Sequence, residues 1–171
     1  MIFLSRYIII HEEKIYKYKN GKFGIKYAKA ELNMQNPAKY YDYGGKMLEK
    51  GTTFTLKKIV APTETAKNYA SGALDVFATP AMIGFMENTC FHLTEKELAE
   101  GETTVGISVN IRHLKATNVG EEVVCTAILT DIDGKKLTFD VKVSEGDVVV
   151  GEGMHERFIV NAQKFMDKLK K

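Results

Sequence analysis

Three side chains in the middle of the sequence are of types that do chemistry together. Glu87 interrupts the apolar stretch FATPAMIGFMENTC, Phe77 to Cys90; Thr79 precedes it in the same stretch, and His113 closes the row TTVGISVNIRH. On a wheel of 100° per residue, Met82, Ile83, Met86, Thr89, Cys90 and Leu93 form one apolar stripe. Glu87 falls beside Ile83 at its margin, while Asn88 falls on the polar side. A carboxylate half-removed from water is a stronger base and nucleophile than a solvated one. His113 is read on one strand face with Val105, Ile107, Val109 and Ile111, so an imidazole able to move protons near neutral pH would point at the same seam. Thr79 precedes Pro80 and suits a helix N-cap, where a hydroxyl sits in a positive field and can hold a carboxylate or an oxyanion. Each residue also has a plainer reading: a boundary glutamate reaching water, a satisfied histidine at a strand end, a simple cap.

The elements that would position them follow from periodicity. TFTLKKIV sets Phe54, Leu56 and Lys58 against Thr53, Thr55 and Lys57, a strand. A loop rich in small residues, APTETAKNYASGALD, leads to a helix from about Pro80 to about Leu93. Four strands follow: TTVGISVNIRH, VVCTAILTDI, KLTFDVKVS and VVVGEGMHERFIV. Asp133-Gly134 and Glu145-Gly146-Asp147 are tight-turn signals, and tight turns require antiparallel neighbours. NAQKFMDKLKK reads as a short terminal helix. A sheet with one apolar face must bury it, and the only long apolar helix is the one carrying Glu87. The expected fold is therefore α+β: a hotdog-like antiparallel sheet wrapped around one central helix.

The bulk properties narrow the function classes. The 171 residues carry a net charge of +2, with 44% hydrophobic and 27% charged residues, an ordinary soluble composition for one domain with no global pull toward nucleic acid. No run approaches the roughly 18 apolar residues of a membrane span, and MIFLSRYIII lacks the h-region and cleavage site of a signal peptide. Cys90 and Cys125 lie inside apolar patterns and read as reduced core residues of a cytoplasmic protein. The G-x-G of GEGMHE lies in a strand with no helix after it, so a dinucleotide fingerprint fails. His92 reads as solvated, and His155 has no second His or Cys at metal spacing, so no metal is expected. Neither a G-x-S-x-G elbow nor a P-loop is present.

Composition breaks near residue 46. Residues 1–46 hold nine Lys/Arg against four Asp/Glu and seven of the eight tyrosines; the rest of the chain holds 15 against 18. Three readings apply to this extension. Translation could begin at Met47, since GGKM, Gly44 to Met47, is compatible with a purine-rich stretch of ribosome-binding type ahead of a start codon, which would leave 1–46 outside the natural protein. IYKYKNGKFGIKY could form a hairpin about Asn20-Gly21. The segment could be a basic aromatic arm for nucleic acid. The domain proper is taken as 47–171.

VFATPAMIGFMENTC, TTVGISVNIRHLKATNVGEEV and GEGMHERFIVNAQKF, in that order and spacing, resemble the hotdog thioesterases of the fluoroacetyl-CoA thioesterase-like family over roughly residues 50–167. The resemblance implies a catalytic set of Thr79, Glu87 and His113. It also implies a thioester contact through the backbone of Gly106, Arg157 beside the substrate, no metal or redox cofactor, and a homodimer with both sites at the subunit interface. One departure limits it. The family's fluoroacetyl-specific member carries phenylalanines in the loop before FAT, where this chain has Ala70 and Ala73, with Tyr69 as the nearest aromatic substitute. The implied activity is hydrolysis of a short or medium acyl-CoA by Glu87, acting as nucleophile or as base on water. Phosphate-binding cations at the pocket mouth would come from Arg112, Lys115 and Arg157, with solvated charge the simpler reading of the first two. The competing functions are a non-catalytic acyl-CoA-binding hotdog protein and a hotdog dehydratase or hydratase.

Overall fold

The computed structural model describes residues 8–11, 14–19, 22–25 and 48–170. The chain divides into two compact units, Met1–Pro37 and Ala38–Lys171. In the first, β1 (Ile8–His11), β2 (Lys14–Lys19) and β3 (Lys22–Ile25) form an antiparallel sheet in that order. Lys19 lies opposite Lys22, so β2 and β3 pair as the hairpin reading requires; Asn20, Gly21 and Met47 lie outside the described residues.

Among the described residues, the second unit is built on one long helix packed against one sheet. Strands β4 (Thr53–Ile59), β5 (Glu102–His113), β6 (Glu122–Asp133), β7 (Lys136–Glu145) and β8 (Val148–Asn161) form an antiparallel sheet ordered β4-β6-β7-β8-β5. The hairpins close where the turn residues stand: Asp133 pairs with Lys136 and Glu145 with Val148, and Gly134 and Gly146 supply the positive φ that such turns need. Alternation then decides the faces. Leu137, Phe139, Val141 and Val143 of β7 are buried, as are Val123, Cys125, Ala127 and Leu129 of β6.

Helix α1 (Thr79–Glu95) packs its buried stripe on all five strands. Ala81, Met82, Phe85, Met86, Thr89, Cys90, Leu93 and Thr94 are buried, and the Thr89 hydroxyl is satisfied by donating to the Phe85 carbonyl at 2.8 Å. The expected N-cap is corrected. The capping residue is Ala78, in extended conformation, and its carbonyl receives the first helical bond from the Met82 amide at 2.9 Å. Thr79 is already inside the helix, so its side chain is free for another partner. The entry is clamped by neighbouring chain: Phe77 N–H donates to the Thr117 carbonyl and Ala78 N–H to that of Glu64, both at 2.9 Å. A short helix α2 (Ala162–Asp167) follows β8, capped by Asn161, whose side chain accepts from Lys164 N–H.

A second expectation fails in an informative way. The register of β5 against β8 shifts between Gly106 and Ser108, so Ile107 is an extra residue in the ladder. The single row from Val105 to His113 is therefore two rows. Thr104 and Gly106 face the helix before the bulge; Val109, Ile111 and His113 face it after. Val105 pairs with exposed Phe158 on the outer face, and Ile107 is 50% exposed.

The glycines of GEG have a packing explanation. A Cβ on Gly151 would lie 2.4 Å from the Met82 sulfur, and one on Gly153 would lie 2.2 Å from the Asn110 carbonyl oxygen. Gly153 also has φ +155°, so β8 crosses β5 and α1 at van der Waals distance only because these residues lack side chains.

Candidate active site

Thr79 and His113 meet: Thr79 Oγ1 lies 2.9 Å from His113 Nδ1. The residue expected to cap the helix thus binds the imidazole at the end of β5. The other ring nitrogen, Nε2, is buried with no partner among the described residues. A buried, unpaired nitrogen is costly unless something arrives to use it.

Glu87 stands in a different group. It is half-buried at the margin of the stripe, and Asn88 next to it is exposed. The carboxylate lies over the backbone of Gly106: a Cβ there would come within 2.5 Å of Oε1. On its other side Oε1 is 3.6 Å from His155 Nε2, beyond hydrogen-bond length. Behind the helix, Arg157 is 7% exposed. It donates to Thr104 Oγ1 and to the Thr104 carbonyl, both at 2.8 Å, and to the Glu87 carbonyl at 3.4 Å. It also donates to His155 Nε2 at 3.2 Å, and its guanidinium sits 5.9 Å from the Phe91 ring centroid. Burial lowers the Arg157 pKa, with the nearby Glu87 carboxylate opposing that shift. Arg157, expected beside the substrate, therefore directs its donors inward.

The expected set of Thr79, Glu87 and His113 is thus not one cluster within the chain. Thr79 joins His113, while Glu87 joins Gly106, Arg157 and His155. Thr79 and Glu87 are separated on α1 by about 12 Å of axial rise. Sequence reasoning passed over His155 by testing it for metal spacing alone. The available signal was parity: His155, Arg157 and Ile159 alternate on the buried row of β8 against Glu156, Phe158 and Val160.

Other candidates resolve simply. Arg112 turns outward to Glu152 at 2.5 Å, and the same outer face carries a concavity of about 660 Å³ with Asn110, Asp140, Lys142 and Met154 in its lining. That concavity touches none of Thr79, Glu87, Gly106 or His113, so its size marks no role in this chemistry. His92 is half-exposed and pairs with Glu95 at 3.2 Å. Cys90 and Cys125 are free and buried; burial pushes the Cys90 thiol far above its ordinary range and that of Cys125 up to about 11, which leaves both inert.

With this geometry, the comparisons with known proteins converge. A family model described as fluoroacetyl-CoA-specific thioesterase matches residues 60–163. The chain belongs to this family. It is 31% identical over 126 residues to a fluoroacetyl-CoA thioesterase of Streptantibioticus cattleyicolor, covering 70% of this chain and 91% of that protein. A solved structure of the fluoroacetyl-CoA thioesterase FlK superposes with a TM-score of 0.69 at 31% identity, covering 72% of this chain and 96% of the other. A hot-dog-like protein from Thermanaerovibrio acidaminovorans shares the fold, with a TM-score of 0.65 at 21% identity over 70% of this chain and 89% of that one. Family membership makes the chain a hotdog thioester hydrolase, with the α+β architecture that the strand and helix signals anticipate.

Proposed function

We propose that the chain hydrolyses a short or medium acyl-CoA to free acid and CoA, with Glu87 attacking the thioester as nucleophile or activating water. One observation carries this reading. The Glu87 carboxylate is half-buried and held over Gly106, yet its oxygens accept no hydrogen bond from the described residues. A carboxylate so placed keeps its lone pairs for a substrate. The Gly106 amide would bind the thioester carbonyl, and Arg157 would brace Glu87 from behind. His113, oriented by Thr79, would use its unpartnered Nε2 to protonate the leaving thiolate or to hold the hydrolytic water.

A homodimer joins the two clusters. Strand β5 is a sheet edge whose residues 106–110 are all exposed, with Ile107 at 50% and Val109 at 42%. An apolar edge of this kind invites pairing with a second chain. Antiparallel pairing about that run would bring His113 of the partner subunit toward Glu87 of the first. Each site would then draw its carboxylate from one subunit and its Thr79–His113 pair from the other. Ala70 and Ala73 leave no aromatic gate in the loop before α1, where Ala70 adopts φ +52° and Tyr69 is exposed, so fluoroacetyl selectivity is not carried over. The buried, reduced cysteines suit a cytoplasmic enzyme.

Thiol release from a panel of acyl-CoAs, acetyl to long-chain, tests the reading. Hydrolysis with a chain-length optimum should fall by about 1,000-fold or more in Glu87→Ala while the fold persists. Tight binding of acyl-CoA without hydrolysis by the folded protein would instead establish the non-catalytic binder.

A further inference from the structure

Among the described residues, His155 is the one buried histidine, and its hydrogen bonds determine its state. It is 1% exposed, on the inward row of β8. Its Nδ1 lies 2.8 Å from the Ser108 carbonyl oxygen, which only accepts, so Nδ1 carries a proton. Its Nε2 lies 3.2 Å from Arg157 Nη1, which only donates, so Nε2 is a lone pair. The ring is neutral and of one tautomer. Phe139 stacks beside it, at 6.4 Å between centroids and 29° between planes. That lone pair faces Glu87 Oε1 at 3.6 Å, so neither atom supplies the other with a hydrogen.

This arrangement has a consequence for Glu87. A donor at this position would engage the carboxylate internally. A lone pair leaves it open. We propose that His155 is a positioning residue for the hydrolysis: held neutral between the Ser108 carbonyl and Arg157, it keeps the Glu87 carboxylate free for the thioester, and on gaining a proton it captures that carboxylate and closes the site. The proposal rests on Glu87 being the reacting group.

The surrounding charges set the balance. Burial favours the neutral ring, and the Arg157 cation on β8 acts in the same direction. The Ser108 carbonyl on β5, the Glu87 carboxylate on α1 and Glu156 on β8 oppose it; the net effect places the His155 pKa below its ordinary 6.5. Phe139, from β7, brings no charge. Above the lowered His155 pKa the site is open. Below it, an imidazolium within 3.6 Å of Glu87 needs only a small closure to form a charge-assisted hydrogen bond.

Two measurements on the full chain test this, one independent of activity. Imidazole nitrogen chemical shifts of His155, followed by NMR against pH, should show the Nδ1–H tautomer at neutrality and a midpoint below 6.5. In Glu87→Gln the midpoint should drop further, because the opposing carboxylate is gone. The acid limb of kcat/KM should approach a two-proton slope in the wild type. In His155→Gln, where an amide oxygen replaces the lone pair toward Arg157 and no proton is taken up, it should become a one-proton slope. The variant's kcat should fall about tenfold above neutrality with KM little changed. A midpoint indifferent to Glu87→Gln overturns the proposal, as does an identical slope in both proteins. Should the wild type hydrolyse no acyl-CoA, the proposed function fails while the titration still decides the coupling. Should His155→Gln not fold, wild type and Glu87→Gln decide it by NMR.

Discussion

The two clusters along α1 are opposite in character. At the helix start, Thr79 is exposed, and its one side-chain partner, His113, leaves a buried nitrogen unused. Two turns on, Glu87 is backed by Arg157 and His155, whose own hydrogen bonds reach Thr104, Ser108 and the helix backbone. The first is held by one long-range contact and remains incomplete. The second is built into the sheet, and only the carboxylate is left over. Under the proposed roles, preorganisation is concentrated around the attacking carboxylate, while proton transfer falls to the pair whose ring nitrogen has no partner among the described residues.

Four perturbations separate the regions. The largest effect is expected from Gly106→Ala. Its Cβ would displace the flexible end of Glu87 and crowd His155 Cε1 at 3.2 Å, but meets no backbone, so kcat/KM should fall about 100-fold with only a small loss in the thermal midpoint. Equal loss of activity and stability would show instead that Gly106 serves the strand. Next is Arg157→Met, which removes a buried cation and strands its partners in Thr104 and Glu87. It should cost about 2–4 kcal/mol of unfolding free energy by chemical denaturation. Thr79→Val should lower kcat about tenfold without comparable destabilisation, and Thr79→Ser should restore most of it, because the hydroxyl orients His113 and does not cap the helix. A thermal loss in Thr79→Val as large as that of Arg157→Met would erase the distinction between the clusters. The smallest response is expected of the thiols. Neither Cys90 nor Cys125 should react with a thiol reagent at pH 8 until the chain unfolds.

Much of this was legible from local pattern. The alternation in β4 and β7, the glycine turns, and the margin position of Glu87 are short-range signals, and each describes its element. The rest depends on contacts that no window contains. A bulge adds one residue without altering composition, so Ile107 reads as one more member of an apolar row when it is the residue that divides it. The local rule for Thr before Pro reads Thr79 as a cap as readily as a chemical group; its partner, His113, is 34 residues away. His155 reads as an interruption in a strand until its neighbours on β5 and α1 are known. The glycines of GEG fail as a dinucleotide fingerprint, and only tertiary approach shows what each makes room for.

The bare edge of β5 bears on how the enzyme would be controlled. Were two such edges to pair and complete each other's sites, catalysis would be a bimolecular property of the chain. At dilutions below the dissociation constant, the rate per mole of chain would fall in proportion to concentration, and the total rate would fall as its square. A variant with a perfect Glu87 but no usable edge would be silent alone. Mixed with a chain lacking Glu87 but bearing an intact edge, it would stay silent, because complementation requires both edges.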